Sequence, residues 1–330
     1  MLFYTLLAGL TFADIGISEN AGGAGYNLDR LYDSSDFFDK FNFIDVSCQR
    51  FLRNFDLSKL TTPKPTAQSS YLARYINNKV FLGVDNTTVS TTKKRNSIRL
   101  ESKNTFDNGL LVADFDHLPA KGCGMWPAFW VLNDHGEGYS EIDIVEGANL
   151  DAANEISLFT SHQPCALKDN HRGTGRVSST DCVQSEGEMN GEAPQGRVTH
   201  APENTFGETF NTKDGGVWAL QLENDGIKAW HLAREDVPAD LRTVTPDPRK
   251  WGRPAMDFGP GTCDIAKAWR KLTIVLNITF CGDWAAEESS CATCKKWTGV
   301  ANCEAFVSAH PEAFDYVYFF VNSVKLFTRV

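Results

Sequence analysis

Along most of the chain apolar and polar residues alternate with a period of two, in short runs broken by Gly, Asn, Asp and Pro. That period marks half-buried β-strands rather than helices. It predicts strands at Ser97–Leu100, Gly109–Leu118, Trp126–Leu132, Glu141–Glu146, Glu155–Thr160, Leu272–Phe280 and Tyr316–Leu326. Val217–Leu222 and Ile227–Leu232 flank Asn224-Asp225-Gly226 and predict a hairpin, with Asp-Gly supplying a turn of positive φ. Helical periodicity is confined to pieces such as Cys303–Phe314, which Pro311 interrupts. Many short strands with few helices predict an all-β sandwich or jelly roll. Residues 166–213 are polar and rich in Gly, Ser, Glu and Asn, which predicts a surface excursion or a cleft rim. With no internal repeat and no linker, residues 14–330 read as a single domain.

Glu141-Ile142-Asp143-Ile144-Val145-Glu146 runs against strand propensity, because Glu and Asp are poor strand formers. Glu141 and Asp143 share one face of a strand, and Ile142 and Ile144 take the other. Glu146 then falls on the wrong face unless a β-bulge near Val145 turns it back. With the bulge, three carboxylates crowd one side of a sheet. Crowding raises at least one pKa and lets an acid and a base coexist at one pH. The plainer alternative is an acidic, solvated strand face. The aromatic block Gly122-Cys123-Gly124-Met125-Trp126-Pro127-Ala128-Phe129-Trp130 immediately upstream argues for a cleft instead.

The chain has 330 residues, enough for one large β domain. A formal net charge of −10 without a basic cluster argues against nucleic acid as a partner, and Lys93-Lys94-Arg95 reads as a solvated turn. No apolar stretch reaches the roughly 18 residues of a membrane span. Met1–Ala13 is almost wholly apolar and ends in Thr11-Phe12-Ala13, like the apolar region and cleavage site of a secretory signal, although it lacks a basic start. The alternative is a first strand of the fold. Nine cysteines and the sequons at Asn86 and Asn277 fit secretion. Cys291-Ala292-Thr293-Cys294 has metal-ligand spacing, but in a secreted chain disulfides are the better expectation. The odd count leaves one thiol free or paired between chains. Cys165 with Cys182, and Cys263 with Cys281, are the expected bridges.

Glu-x-Asp-x-x-Glu after Gly-Met-Trp-Pro-Ala-Phe-Trp resembles glycoside hydrolase family 16 in its laminarinase-like branch, and in particular secreted fungal endo-1,3(4)-β-glucanases. The likeness begins at Tyr32-Asp33-Ser34-Ser35-Asp36-Phe37-Phe38. It continues through Val80–Asp85, Ser97–Leu100, Gly215–Ala219 and Pro246-Asp247-Pro248 to Phe280-Cys281-Gly282-Asp283-Trp284-Ala285. It implies a β-jelly-roll of two curved antiparallel sheets with an open cleft on the concave face. It also implies retaining hydrolysis of internal β-glucan bonds, with Glu141 as nucleophile, Glu146 as acid/base and Asp143 tuning the nucleophile. Two carboxyls roughly 5–5.5 Å apart suit that chemistry. No cofactor is implied, because acid, base and nucleophile are all side chains. No metal is expected either.

Sugar rings offer apolar C–H faces to flat aromatics. By resemblance, Trp126 is a platform and Trp284 lies near the reducing-end side. Trp130 shares the face of Trp126 on a regular strand, or packs in the core. Arg99 matches a position that hydrogen-bonds sugar hydroxyls, with a surface ion pair as its alternative. Trp218, Trp230, Trp251, Trp269 and Trp297 are expected to pack or to lie at the surface. The chain departs from the family in two places. Phe159 stands where a His is usual, with His162 three residues on and expected on the other face. Asp45–Thr62 lacks the usual Gly-Tyr-Val-Asn-Tyr segment, leaving Asn54 as its nearest counterpart in binding the non-reducing side. The leading reading is a secreted, monomeric endo-β-glucanase whose partner is polysaccharide. A transglycosylase of the same superfamily and a non-catalytic glucan-binding protein are the alternatives.

Overall fold

The computed structural model describes residues 25–44, 58–60, 64–91, 94–134, 138–179, 181–183, 196–300 and 302–330. The proposed leader, Cys48 and Asn54 lie outside the described residues. In chain order the strands open with β1 (Tyr26–Asp33), β2 (Phe41–Phe43), β3 (Ser58–Leu60), β4 (Ala73–Ile76), β5 (Lys79–Gly83), β6 (Arg95–Ser97) and β7 (Arg99–Phe106). The central run is β8 (Gly109–His117), β9 (Met125–Asn133), β10 (Ser140–Glu146), β11 (Ala153–Thr160), β12 (Lys168–Asp169) and β13 (Arg176–Val177). The last are β14 (Arg197–Glu203), β15 (Gly216–Glu223), β16 (Gly226–Ala233), β17 (Met256–Gly259), β18 (Leu272–Phe280) and β19 (Tyr318–Arg329).

Two antiparallel sheets face each other, as the alternation predicts. One has the order β12-β17-β16-β15-β8-β19-β5-β4, with β1 also paired to β19. The other, β13-β14-β11-β10-β9-β18-β7-β2, carries the acidic hexapeptide. Between them lies a core to which β10 contributes Ile142, Ile144 and Val145, and β9 contributes Phe129 and Val131. A second apolar layer, with Trp230, Leu241 and Trp251, covers the outer face of the first sheet. A cavity of about 510 Å³ there, lined in part by Lys228, Trp230, Arg253 and Asp257, lies on the far side of the sandwich from the acidic residues.

Several local expectations are corrected. The β15–β16 hairpin forms around Asn224-Asp225, but Gly226 is a ladder residue opposite Glu223 and has no positive φ. Its missing Cβ is required by packing, since one would lie 2.7 Å from the Phe258 carbonyl oxygen. The double positive φ belongs to Asn77 and Asn78 in the β4–β5 hairpin. Residues 166–213 are more than an excursion, because β14 pairs with β11 and extends the acidic sheet. Arg95 is buried: its guanidinium donates to the carbonyls of Val307, Ser308, Asp85 and Thr88. A side chain with that many carbonyl partners ties the C-terminal helices to β6 and is no part of a solvated turn.

The disulfides also differ from expectation. Cys165 joins Cys263, because Ala166 and Thr262 are hydrogen-bonded side by side. Cys281 joins Cys303, and Cys123 joins Cys294. Cys182 and Cys291 are unpaired and buried, so two described thiols are free where one was expected. Among the described residues no helix is long and apolar enough to cross a membrane.

Candidate active site

The expected bulge is present in β10. On the β9 side Asp143 pairs with Trp130 and Val145 with Phe129, so Ile144 is the extra residue. On the β11 side Asp143 pairs with Ser157 and Glu146 with Glu155. Ile144 and Val145 are both fully buried in the inter-sheet core, and that is what returns Glu146 to the face of Glu141 and Asp143. Asn154, which sequence reasoning missed, holds the bulge closed. Its Oδ1 accepts from the Glu146 amide at 2.9 Å, and its Nδ2 donates to the Ile144 carbonyl at 2.9 Å. These are the backbone groups an irregular ladder leaves without partners.

The three acids do not titrate alike. Burial raises Glu141, but hydrogen bonds from the Tyr139 hydroxyl and from Asp143 favour its ionised form, as does the charge of Arg99. Asp143 is held well above the usual range by burial and then by the charges of Glu141 and Glu146, so it is the proton donor of the Glu141–Asp143 pair. Glu146 is pushed to about 8, chiefly by burial, with Glu141 and Glu155 adding to it and the Trp126 hydrogen bond opposing it. The arrangement therefore favours ionisation at Glu141 through its hydrogen bonds and Arg99, and holds Glu146 as a carboxylic acid near neutral pH.

The aromatic residues surround this trio. Trp126 and Trp130 share the outward face of β9 and are both partly exposed, so Trp130 is not core. Trp126 Nε1 donates to Glu146 Oε1 at 2.7 Å, and Trp130 Nε1 donates to Asn277 Oδ1 at 2.6 Å. Asn277, read as a sequon, is buried on this face and also donates to Thr279. Arg99 lies across β18, with its guanidinium 5.0 Å from the Trp130 ring, and pairs with Glu101 at 2.8 Å. Trp284, on the short helix Gly282–Ala285, meets Trp126 edge to face with centroids 5.9 Å apart. Gly282 permits this approach: its φ is +70°, and a Cβ would lie 3.1 Å from the Trp126 ring. Of the other tryptophans, Trp218, Trp230, Trp251 and Trp269 are buried and Trp297 is exposed, as expected.

Beyond β10, the outward residues of β11 are Glu155, Ser157 and Phe159, opposite Glu146, Asp143 and Glu141. Phe159, where the family pattern has His, therefore sets an apolar ring beside Glu141. His162 lies past the end of β11, at no strand position. Glu155 and its partner His200 on β14 were also missed. Their proximity to Glu146 depends on the bulge register, which spacing alone does not reveal.

The family model for the XgeA-like, catalytic GH16 domain matches residues 62–327. The chain belongs to glycoside hydrolase family 16. It is 33% identical over 325 residues to the endo-1,3(4)-beta-glucanase of Arthroderma benhamiae, covering 96% of this chain and 67% of that protein. It is 33% identical over 316 residues to a probable endo-1,3(4)-beta-glucanase of Aspergillus flavus, covering 93% of this chain but only 45% of the relative. The family 16 laminarinase 16A from Phanerochaete chrysosporium, solved with β-glucans in donor and acceptor sites, superposes with a TM-score of 0.81 at 29% identity. That match covers 92% of this chain and 100% of that one. An elongating family 16 β-1,3-glucosyltransferase superposes with a TM-score of 0.79 at 32% identity and the same coverage. This family 16 domain is thus a glycosidase with the jelly-roll architecture that the sequence predicts.

Proposed function

We propose that the chain is a secreted endo-acting β-glucanase that cleaves internal bonds of 1,3- or mixed 1,3/1,4-β-glucan with retention of configuration. The observation that carries this reading is the register shift between Asp143 and Val145, which puts Glu146 on the face of Glu141. Glu141 attacks the anomeric carbon while Glu146 gives its proton to the departing glycosidic oxygen. Glu141 then becomes a neutral ester. Its charge no longer raises Glu146, whose pKa falls, and Glu146 takes a proton from the incoming water. Asp143 donates to Glu141 throughout and tunes how tightly the nucleophile holds its electrons. Trp126, Trp130, Trp284 and Arg99 bind the glucan. Three disulfides fit an oxidising compartment.

The test is reducing-sugar release from laminarin, lichenan and xyloglucan, with the anomer formed first read by NMR. Release from laminarin or lichenan with the β-anomer first supports the reading; Glu141→Gln abolishes it with the fold intact. The α-anomer first overturns retention, and binding without turnover favours a glucan-binding protein. One observation favours transglycosylation: Phe159 sets an apolar surface beside Glu141, suited to a sugar face rather than to water. Laminari-oligosaccharides longer than the substrate mark that outcome.

A further inference from the structure

A fourth carboxylate reaches the site from β11. Glu155 stands directly across one ladder from Glu146 and directly across the next from His200 of β14. Its Oε2 is 3.2 Å from Nδ1 of His200. The two-carboxylate reaction uses neither residue. The groups that face Glu155 are Glu146 and Asp143 from β10, Asp151 from the preceding turn, Ser157 from its own strand and His200 from β14. Behind His200 lies Arg176 of β13.

We propose that Glu155, held by His200, is a positioning residue that keeps Glu146 in its acid form as the pH rises. This rests on Glu146 being the acid/base of the reaction above. The reason is the placement of Glu155 across the ladder from Glu146 on the same face of the sheet, so that a charge on one opposes a charge on the other. Burial and the charge of Asp151 delay ionisation of Glu155 to about 7, just below the value of about 8 at Glu146. Once Glu155 is an anion, the proton on Glu146 must leave against a neighbouring negative charge. The charge of Glu155 adds to the burial and the Glu141 charge that already raise Glu146. Burial and Arg176 lower His200 and so favour the neutral imidazole. Its Nδ1 accepts from protonated Glu155, or in the other tautomer donates to the carboxylate. It holds Glu155 in both states without cancelling the charge.

The test is the pH profile of kcat/KM on a laminari-oligosaccharide for wild type, Glu155→Gln, Glu155→Asp and Glu146→Gln. Glu155→Gln keeps the size and hydrogen bonding but carries no charge. Its alkaline limb is expected to move down by on the order of one pH unit, so that above the limb its rate is about tenfold below wild type, with the acidic side within about twofold. Glu155→Asp keeps the charge and is expected to keep the wild-type limb. If Glu155→Gln fails to fold, Glu155→Thr is the second uncharged variant. A rate lowered equally at every pH, with the limb unmoved, would mean a merely structural role and overturns the proposal. Glu146→Gln separates the two claims. Near-total loss of turnover sustains the acid assignment, so an unmoved limb in Glu155→Gln defeats the present proposal alone. Full activity in Glu146→Gln defeats both.

Discussion

The indole of Trp126 donates its Nε1 hydrogen to Oε1 of Glu146 at 2.7 Å. Under the proposed function, one residue thus serves as sugar platform and as anchor of the acid. This bond favours the ionised form of Glu146 and opposes the upward push of burial. Trp126→Phe keeps an apolar ring but loses the donor. Its alkaline limb is expected to move to higher pH, and kcat to fall on the order of tenfold, for a charge-assisted bond of about 1.5–3 kcal/mol. A pH–rate profile checks this; a limb that moves down contradicts it.

The same carboxyl makes stability depend on pH with a definite sign. Glu146 is raised from 4.5 to about 8 in the native state. Between those values the native protein binds more protons than the unfolded chain, so stability falls as pH rises. Each pH unit in that window removes about 1.4 kcal/mol for one such group. Glu146→Gln, which can still accept from Trp126, is expected to melt above wild type at pH 8, with the gap closing toward pH 4. Melting curves at pH 4, 6 and 8 decide; a variant no more stable than wild type at pH 8 contradicts the shift.

Asn154 closes the bulge, so Asn154→Ala leaves the Glu146 amide and the Ile144 carbonyl buried without partners. Each such group costs about 1–3 kcal/mol. The melting temperature is expected to fall by several degrees. kcat should drop at least tenfold with KM little changed, because Glu146 loses its placement while the aromatics proposed to bind the sugar stay. Unchanged kcat in a folded variant would show that the bulge holds itself.

The Cys281–Cys303 bridge fixes the segment that carries Trp284, its ends separated by 22 positions in sequence. A loop of that order contributes about 3 kcal/mol by restricting the unfolded chain. The double Ser variant is expected to lose stability of that size. It should also raise KM for long oligosaccharides several-fold while sparing a small aryl glucoside, which does not reach Trp284. Parallel melting and kinetic measurements test both parts. Equal loss on the two substrates contradicts the assignment of Trp284 to sugar binding.

Much of this was legible in the sequence, because the period of two records which face of a strand is buried. The strands from Gly109 to Thr160 fall where the pattern puts them, and the bulge near Val145 follows from the one acid out of phase. What depends on pairing through space was not legible. The disulfides follow the adjacency of loops such as Ala166 and Thr262, which no spacing encodes. Glu155 comes level with Glu146 only through the register that the bulge sets. Arg95 looks like a surface charge until the carbonyls of Val307 and Ser308 are seen around its guanidinium. Asn277 reads as a sequon, yet its side chain is already bonded to Trp130 and Thr279.

The central claim is that the turned-back Glu146 is the acid/base partner of Glu141, and azide rescue of Glu146→Ala tests it most directly. An aryl β-laminaribioside with a good leaving group needs no acid, so the variant forms the glycosyl intermediate and then stalls without its base. Added azide needs no base, attacks from the face opposite Glu141, and is expected to restore turnover and yield the β-glycosyl azide. No acceleration by azide, or an α-glycosyl azide as product, would contradict the account.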